Sequence, residues 1–361
     1  NVHIYVGHGK AYTKWRKANS KKNRYLRSLL KCFHDPINSK SFDRVEISDL
    51  NQIIGTTRYD IIYAFRISMG RAAQAIIESN PEFSNTLSVV DFDDIESKAK
   101  LREAHVVLES EGRLNSLMLK LEARKIKTLE SQQLKYFSQV HVCSEADKAE
   151  LDARKLTAGQ SNVRVLPNTL DLPTKQTAKP EPSLLPNLLF VGTMDHGPNV
   201  DAIHYIVKEL YPHLVKILNG NFEINIVGRY PTEQIMAYAS IPQVNIHADV
   251  PNVEPYYSAA TIVIAPIRFG GGTRLKILEA FAYGKPVVST SIGAEGIDVK
   301  NGHGIIIADS AEDFSKKCAE LITNQPLAQS IATNAYSLYL ELYSYKACKK
   351  RLTSYMAELG F

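Results

Sequence analysis

The stretch RFGGGTRLKILEAFAYGKPVVST, residues 268 to 290, gathers side chains that could hold a phosphate. Gly270, Gly271 and Gly272 join an apolar run of strand length, TIVIAPI (261 to 267), to a segment of helical period. Glycine at such a turn permits positive φ and lets a bulky ligand approach the backbone. The helix that follows offers unpaired N–H groups and the positive end of its dipole, so Gly270 to Thr273 read as a seat for an anion. Glu279 lies seven residues beyond Gly272, about two turns, where its carboxylate can accept hydrogen bonds from a ribose. Lys276 stands near the same face, and a nucleotide diphosphate would satisfy all of these groups. The competing reading is a tight turn followed by an exposed Lys276–Glu279 pair worth a few tenths of a kcal/mol. The pattern is neither G-x-x-x-x-G-K-[ST] nor G-x-G-x-x-G, which disfavours a P-loop or a dinucleotide site.

Open α/β sheets bind ligands outside the carboxyl ends of their strands. That rule singles out Arg66, Asp91, Asp93, Asp94, Ser144, Glu145, Thr193, Asp195, His196 and Arg229. In DFDD (91 to 94), Asp91 and Asp93 would point to one side of a strand and imitate a D-x-D metal motif. The preferred reading has these carboxylates orient an acceptor hydroxyl or a donor sugar, and the bland one is an acid-dressed helix N-terminus. Ser144 with Asp147 fits a capping box without function. His196 and His247 read as polar loop residues, Trp15 as an anchor or packing residue, and Asn168 as part of an interdomain turn.

Strand-length apolar runs alternating with helical patterns predict parallel sheets covered by helices, an α/β fold. The first half offers VHIYV (2 to 6), RVEIS (44 to 48), YDIIYAF (59 to 65), TLSVVDF (86 to 92), QVHVCS (139 to 144) and VRVLP (163 to 167), with two helices between Ile95 and Phe137. After the proline-rich segment 171 to 186 come LLFVG (188 to 192), a helix from about Asn199 to Leu218, EINIVG (223 to 228), VNIHA (244 to 248), TIVIAPI, a helix from about Gly272, PVVST (286 to 290), GIIIA (304 to 308) and a helical remainder. The expected organisation is therefore a domain over residues 1 to 170, a linker over 171 to 186, a second domain over 187 to 340, and a C-terminal helix over 341 to 361 packing back on the first.

The chain has 361 residues, 44% of them apolar and 22% charged, enough for two domains. Its four cysteines form no short pairs, which argues against metal and redox motifs and suits a reducing cytoplasm. Neither a leader nor an apolar run near the roughly 20 residues of a membrane span is present. Nine cations from Lys10 to Lys31 precede the first acid, Asp35, and Tyr25, Leu26, Leu29, Leu30 and Phe33 recur at helical spacing. Residues 10 to 31 thus read either as a surface for an anionic membrane or as a solvated helix. Nucleic acid is disfavoured, since no binding module accompanies the basic run.

FVGTMDHGPNVDAI (190 to 203), INIVGRYP (224 to 231), residues 244 to 297, VCSEAD and VRVLPNTLD together resemble glycosyltransferases of family four, in the subgroup that builds bacterial polysaccharides. The resemblance implies a GT-B fold, two Rossmann-like domains facing a cleft, a nucleotide sugar held by the C-terminal domain, a retained anomeric configuration and no metal or other cofactor. The second glutamate of the family's Glu, seven residues, Glu pattern matches Glu279, the ribose holder; the first falls on Gly271. The family's diphosphate-gripping Arg and Lys fall on Thr193 and Pro198, so Arg274 and Lys276 are expected to replace them as catalytic cations, with Asp93 as their partner in catalysis. Gly271, Gly272, Thr273, Glu279, Thr193, Asn199 and Arg229 are expected to bind the donor, and Arg66 and Asp94 to lie on the acceptor side. The family's first strand and glycine loop should precede VHIYV, which implies a chain lacking one βα unit or one where the basic stretch replaces it. The implied activity is hexosyl transfer from a nucleotide sugar to a glycan or lipid-linked saccharide, in the cytoplasm and peripherally at the inner membrane face. A nucleotide-sugar 2-epimerase of the same fold and a non-catalytic binding or scaffold homologue are the alternatives.

Overall fold

The computed structural model describes residues 59–110, 112–154, 161–170 and 185–358. The strands expected at 2 to 6 and 44 to 48, the basic stretch 10 to 31 and most of the 171 to 186 linker lie outside those residues. Two units divide between Val165 and Leu166.

In the first unit the strands are β1 (Ile61–Phe65), β2 (Leu87–Asp91), β3 (Gln139–Val142) and β4 (Val163–Val165), all parallel in that order. Helices α1 (Ile67–Ser79), α2 (Glu96–Ser110), α3 (Arg113–Tyr136) and α4 (Glu145–Ala153) connect them. The two helices expected between Ile95 and Phe137 are α2 and α3. Ser144 caps α4, its Oγ accepting the Asp147 N–H at 3.1 Å. Its function is thereby structural. Contrary to expectation, Asp91 and Asp93 do not alternate along one strand: β2 ends at Asp91, and Asp93 sits in a turn at φ 61°.

The second unit carries a parallel sheet ordered β10-β9-β8-β5-β6-β7. Its strands are β5 (Asn187–Val191), β6 (Glu223–Gly228), β7 (Val244–Ala248), β8 (Ile262–Ala265), β9 (Val287–Ser289) and β10 (Ile306–Ile307). Leu188, Leu189, Phe190, Ile262, Val263 and Ile264 are fully buried, because helices cover both sheet faces. These helices include α5 (Gly197–Tyr205), α6 (Tyr211–Leu218), α7 (Leu275–Ala282), α8 (Ala311–Thr323), α9 (Gln325–Leu338) and α10 (Tyr345–Glu358). The single helix expected from Asn199 to Leu218 widens into a π turn at Ile206–Leu210. Pro212, just inside α6, has no N–H to continue the regular ladder. Helix α7 begins at Leu275 rather than near Gly272, since Gly272 holds φ 70° and Arg274 is extended. Leu170 bridges Ser344 and accepts the Tyr339 hydroxyl at 2.9 Å, which ties the start of this unit to its last helices. No helix among the described residues is long and apolar enough to cross a membrane.

Candidate donor-phosphate seat

Helix α7 forms because Ile277, Leu278, Ala280 and Phe281 give it a buried stripe, and that packing fixes where its polar face points. The turn before it bends through Gly270 at φ 114° and Gly272 at φ 70°, a path that side chains rarely follow. Arg274 braces this turn, with Nη1 donating to the carbonyl oxygens of Gly271 and Gly272. The guanidinium thus folds back onto its own loop. The Thr273 hydroxyl is buried and finds no hydrogen-bond partner among the described residues.

Lys276 reaches the end of β5. Its ammonium donates to Asn199 Oδ1 at 2.7 Å and lies 4.1 Å from the centroid of the Phe190 ring. Asn199 is itself held by Nδ2 donating to the Thr193 carbonyl at 3.0 Å, so Thr193, Asn199 and Lys276 form one chain. Gly192 leaves room for it, since a Cβ there would stand 2.8 Å from the Asn199 side chain and 2.9 Å from Lys276 Nζ. The residue is half-buried, and its ammonium sits against an aromatic ring with no paired carboxylate among the described residues. Burial pushes its pKa down to about 7; Arg274 adds to the fall and Glu279 opposes it.

Glu279 does not pair with Lys276. Its Oε2 instead accepts the hydroxyl of Tyr257, at 2.5 Å. Burial raises the Glu279 carboxyl, against the lowering pull of that hydrogen bond and of Lys276. The exposed Lys276–Glu279 pair of the bland reading is thus absent. Arg229, expected to bind the donor, lies exposed just beyond β6. His196 occupies the N-terminus of α5 without capping it, and His247 is bonded to Asn225 at 2.7 Å.

In the first unit, Arg66, Asp93 and Asp94 gather at the carboxyl ends of β1 and β2. Arg66 Nη2 donates to Asp93 Oδ2 at 3.0 Å, and both residues hold positive φ, 72° and 61°. Such outliers persist only where surrounding structure over-determines them, and they concentrate at functional sites. Asp91 accepts the Tyr63 hydroxyl at 2.5 Å and the Asp93 N–H at 2.9 Å. Asp94 lies beside them, its N–H on the Phe92 carbonyl at 2.6 Å.

Sequence reasoning missed Tyr257, Phe190 and Tyr63. Phe190 reads as ordinary strand core and Tyr257 as one ring of a PYYS helical turn, and neither position carries a local signal of its polar contact.

Residues 185–324 match the family model described as Glycosyl transferases group 1. An uncharacterized 44.6 kDa protein in the cps region of Klebsiella pneumoniae is 29% identical over 168 residues, 44% of this chain and 43% of that protein. The chain thus spans less than half the length of this curated relative. TarM of S. aureus, in complex with Fondaparinux, alpha-GlcNAc-glycerol and UDP, superposes with a TM-score of 0.63 at 15% identity, over 85% of this chain and 57% of that one. Anabaena HepE in complex with UDP-glucose gives a TM-score of 0.60 at 16% identity, over 87% and 82%.

Proposed function

We propose that this chain, which carries a glycosyl transferases group 1 domain on a GT-B fold, moves a hexosyl unit from a nucleotide diphosphate sugar to a glycan or lipid-linked saccharide during polysaccharide biosynthesis. One observation carries the reading. Between the end of β5 and the start of α7 stand a desolvated ammonium, a buried hydroxyl without a hydrogen-bond partner among the described residues and two positive-φ glycines, a set whose chemistry suits an anion. The UDP and UDP-glucose bound by TarM and HepE support a nucleotide sugar as that anion, and the cps location of the Klebsiella relative supports a polysaccharide product.

Lys276, Thr273 and the first N–H groups of α7 hold the diphosphate, Gly271 and Gly272 give its oxygens room, and Glu279 receives the ribose hydroxyls. Transfer breaks the bond from the anomeric carbon to the diphosphate oxygen. The acceptor oxygen bonds to that carbon on the same face, and its proton passes to the departing phosphate oxygen, so configuration is retained. Lys276 meets the charge growing on the leaving group, a role that electrostatic preorganisation can fill without a metal. Arg274 keeps the loop in register, while Arg66, Asp93 and Asp94 serve the acceptor side. Thr193 and Asn199 hold Lys276 in place, and Arg229 meets the donor from the end of β6. The enzyme works in the cytoplasm at the inner membrane face, which residues 10–31 contact.

Calorimetry of UDP and GDP, with and without Mg²⁺, tests this reading directly. Micromolar binding that ignores metal and disappears in Lys276→Ala and Glu279→Ala is the expected result; no binding of either diphosphate by the unaltered protein refutes it. Gly271, standing where the family places its sugar-reading glutamate, favours a second reading, a homologue that binds nucleotide without turnover. Release of diphosphate in the presence of saccharide acceptors separates the two, and epimer formed from donor alone would identify a 2-epimerase.

A further inference from the structure

On an α-helix, side chains three residues apart are neighbours, and opposite charges at that spacing attract. Desolvation strengthens the attraction, because the effective dielectric falls. Lys276 and Glu279 have this spacing and share a partly buried helix face, yet among the described residues they bond to other partners and form no ion pair. Each is held apart from the other by a separate neutral partner. Lys276 is drawn to Asn199 Oδ1 at 2.7 Å and over the Phe190 ring at 4.1 Å. Glu279 is drawn to the Tyr257 hydroxyl at 2.5 Å.

Tyr257 can hold a carboxylate because it cannot itself move. It is fully buried, and its ring stacks on Tyr283 with centroids 5.1 Å apart and planes 12° from parallel. Tyr283 directly follows α7, so the phenol and the carboxylate it holds are tied to one helix. The same hydroxyl lies 3.3 Å from the Lys276 carbonyl oxygen, which adds a second tether to α7. A phenol this deeply buried stays protonated, burial and the Glu279 charge together raising its pKa well above 10. It therefore remains a donor at every working pH.

We propose that Tyr257 is a positioning residue which holds Glu279 off Lys276, so that the seat keeps an uncompensated ammonium for the diphosphate and a carboxylate for the ribose. This rests on the nucleotide-sugar reading and assigns how one site presents both charges at once. Without the tyrosine hydroxyl, Glu279 would turn to Lys276 and neutralise it, and both halves of the donor would lose their partner. Arg274 and Tyr283 also bear on this pair, Arg274 lowering the Lys276 pKa and the Glu279 charge raising that of Tyr283.

Calorimetry with two probes, UDP and inorganic pyrophosphate, tests it, because pyrophosphate has the anion and lacks the ribose. Tyr257→Phe keeps the ring and its stacking, and is expected to weaken both probes by about tenfold, the worth of a charge-assisted contact. Adding Glu279→Gln to Tyr257→Phe removes the charge that would neutralise Lys276. Pyrophosphate affinity should then return to within about twofold of the unaltered protein, while UDP stays weak. A purely structural tyrosine predicts no such rescue, since Glu279→Gln cannot repair a collapsed pocket. Wild-type pyrophosphate affinity in Tyr257→Phe, or failure of the second substitution to restore it, overturns the proposal and leaves the nucleotide-sugar reading standing. If the unaltered protein binds neither probe, both fall.

Discussion

Replacing Lys276 by methionine should make the folded protein more stable while abolishing diphosphate binding. The ammonium lies over Phe190 with only Asn199 as its polar partner among the described residues, and its pKa falls from 10.5 to about 7. At roughly 1.4 kcal/mol per pKa unit, that fall corresponds to about 5 kcal/mol of destabilisation at low pH. Part of the side chain remains in contact with water, which screens the effect and reduces the expectation to about 2–3 kcal/mol. The sign follows from linkage. The unfolded state binds this proton more tightly, so the penalty is complete below the folded pKa near 7, fades as pH rises, and is gone above the ordinary lysine value of 10.5. Methionine has a similar length, no charge and a favourable contact with an aromatic ring. Urea unfolding of the full chain, followed by circular dichroism at pH 6 and again near pH 10, should therefore show Lys276→Met ahead by about 2–3 kcal/mol at the lower pH and near parity at the higher. UDP binding by the variant should be lost at both. A variant no more stable than the parent at pH 6, or a difference that does not change with pH, would mean that the ammonium is well solvated, and the electrostatic account of the seat would be wrong.

Three further outcomes follow from the geometry. His141, buried in β3, has a pKa pushed down to about 4 by burial and by Arg164, so the stability it confers is intact above pH 6.5 and is lost as pH falls towards 4. The loss should total roughly 3 kcal/mol, and His141→Gln should flatten that limb of an acid denaturation curve. Ser144→Ala removes the N-cap of α4 and should cost about 1 kcal/mol in urea unfolding with no change in UDP affinity. Gly228→Ala would place a Cβ 1.9 Å from the Gly192 carbonyl oxygen, a backbone atom that cannot step aside, and should cost about 3 kcal/mol or more or prevent soluble expression.

Much of the second unit was legible because its strands are apolar on both faces and its turns are chemically explicit. EINIVG and VNIHA coincide with β6 and β7 residue for residue, since Ile224 and Ile226 in one and Val244 and Ile246 in the other recur at the strand period of two, and each segment is bounded by polar or proline-bearing stretches. Gly270, Gly272, Lys276 and Glu279 stand on one turn and one helix face, as their spacing alone sets them. Their wiring was not legible. Nothing local in PYYSAAT says that Tyr257 will reach a carboxylate 22 residues further on, or that Arg274 will turn back onto the carbonyl oxygens of its own loop. Those contacts depend on how β8 and α7 pack against the preceding helical turn. Likewise DFDD reads as a strand end with alternating acids, and only the positive φ of Asp93 and the Tyr63 hydroxyl on Asp91 show that the chain has already left the sheet.

Among the described residues of the second unit, two groups of inward polar residues stand in contrast. Asn187, Asn225 and His247 form a ladder across β5, β6 and β7, with Asn225 donating to Asn187 at 2.9 Å and bonded to His247 at 2.7 Å. Its members satisfy one another, as buried polar groups in a stable scaffold must. At the start of α7 the opposite holds: Thr273 has a buried hydroxyl without a partner among the described residues, Lys276 a proton held weakly by desolvation, and Glu279 a carboxyl raised by burial. All three are costs to the unliganded fold, incurred within seven residues of chain. An anion bonded to Thr273 and Lys276, joined to hydroxyls that donate to Glu279, would relieve the three together. A surface built only for folding has no reason to concentrate unmet demands in this complementary pattern, whereas a surface built to hold a sugar-linked diphosphate requires it.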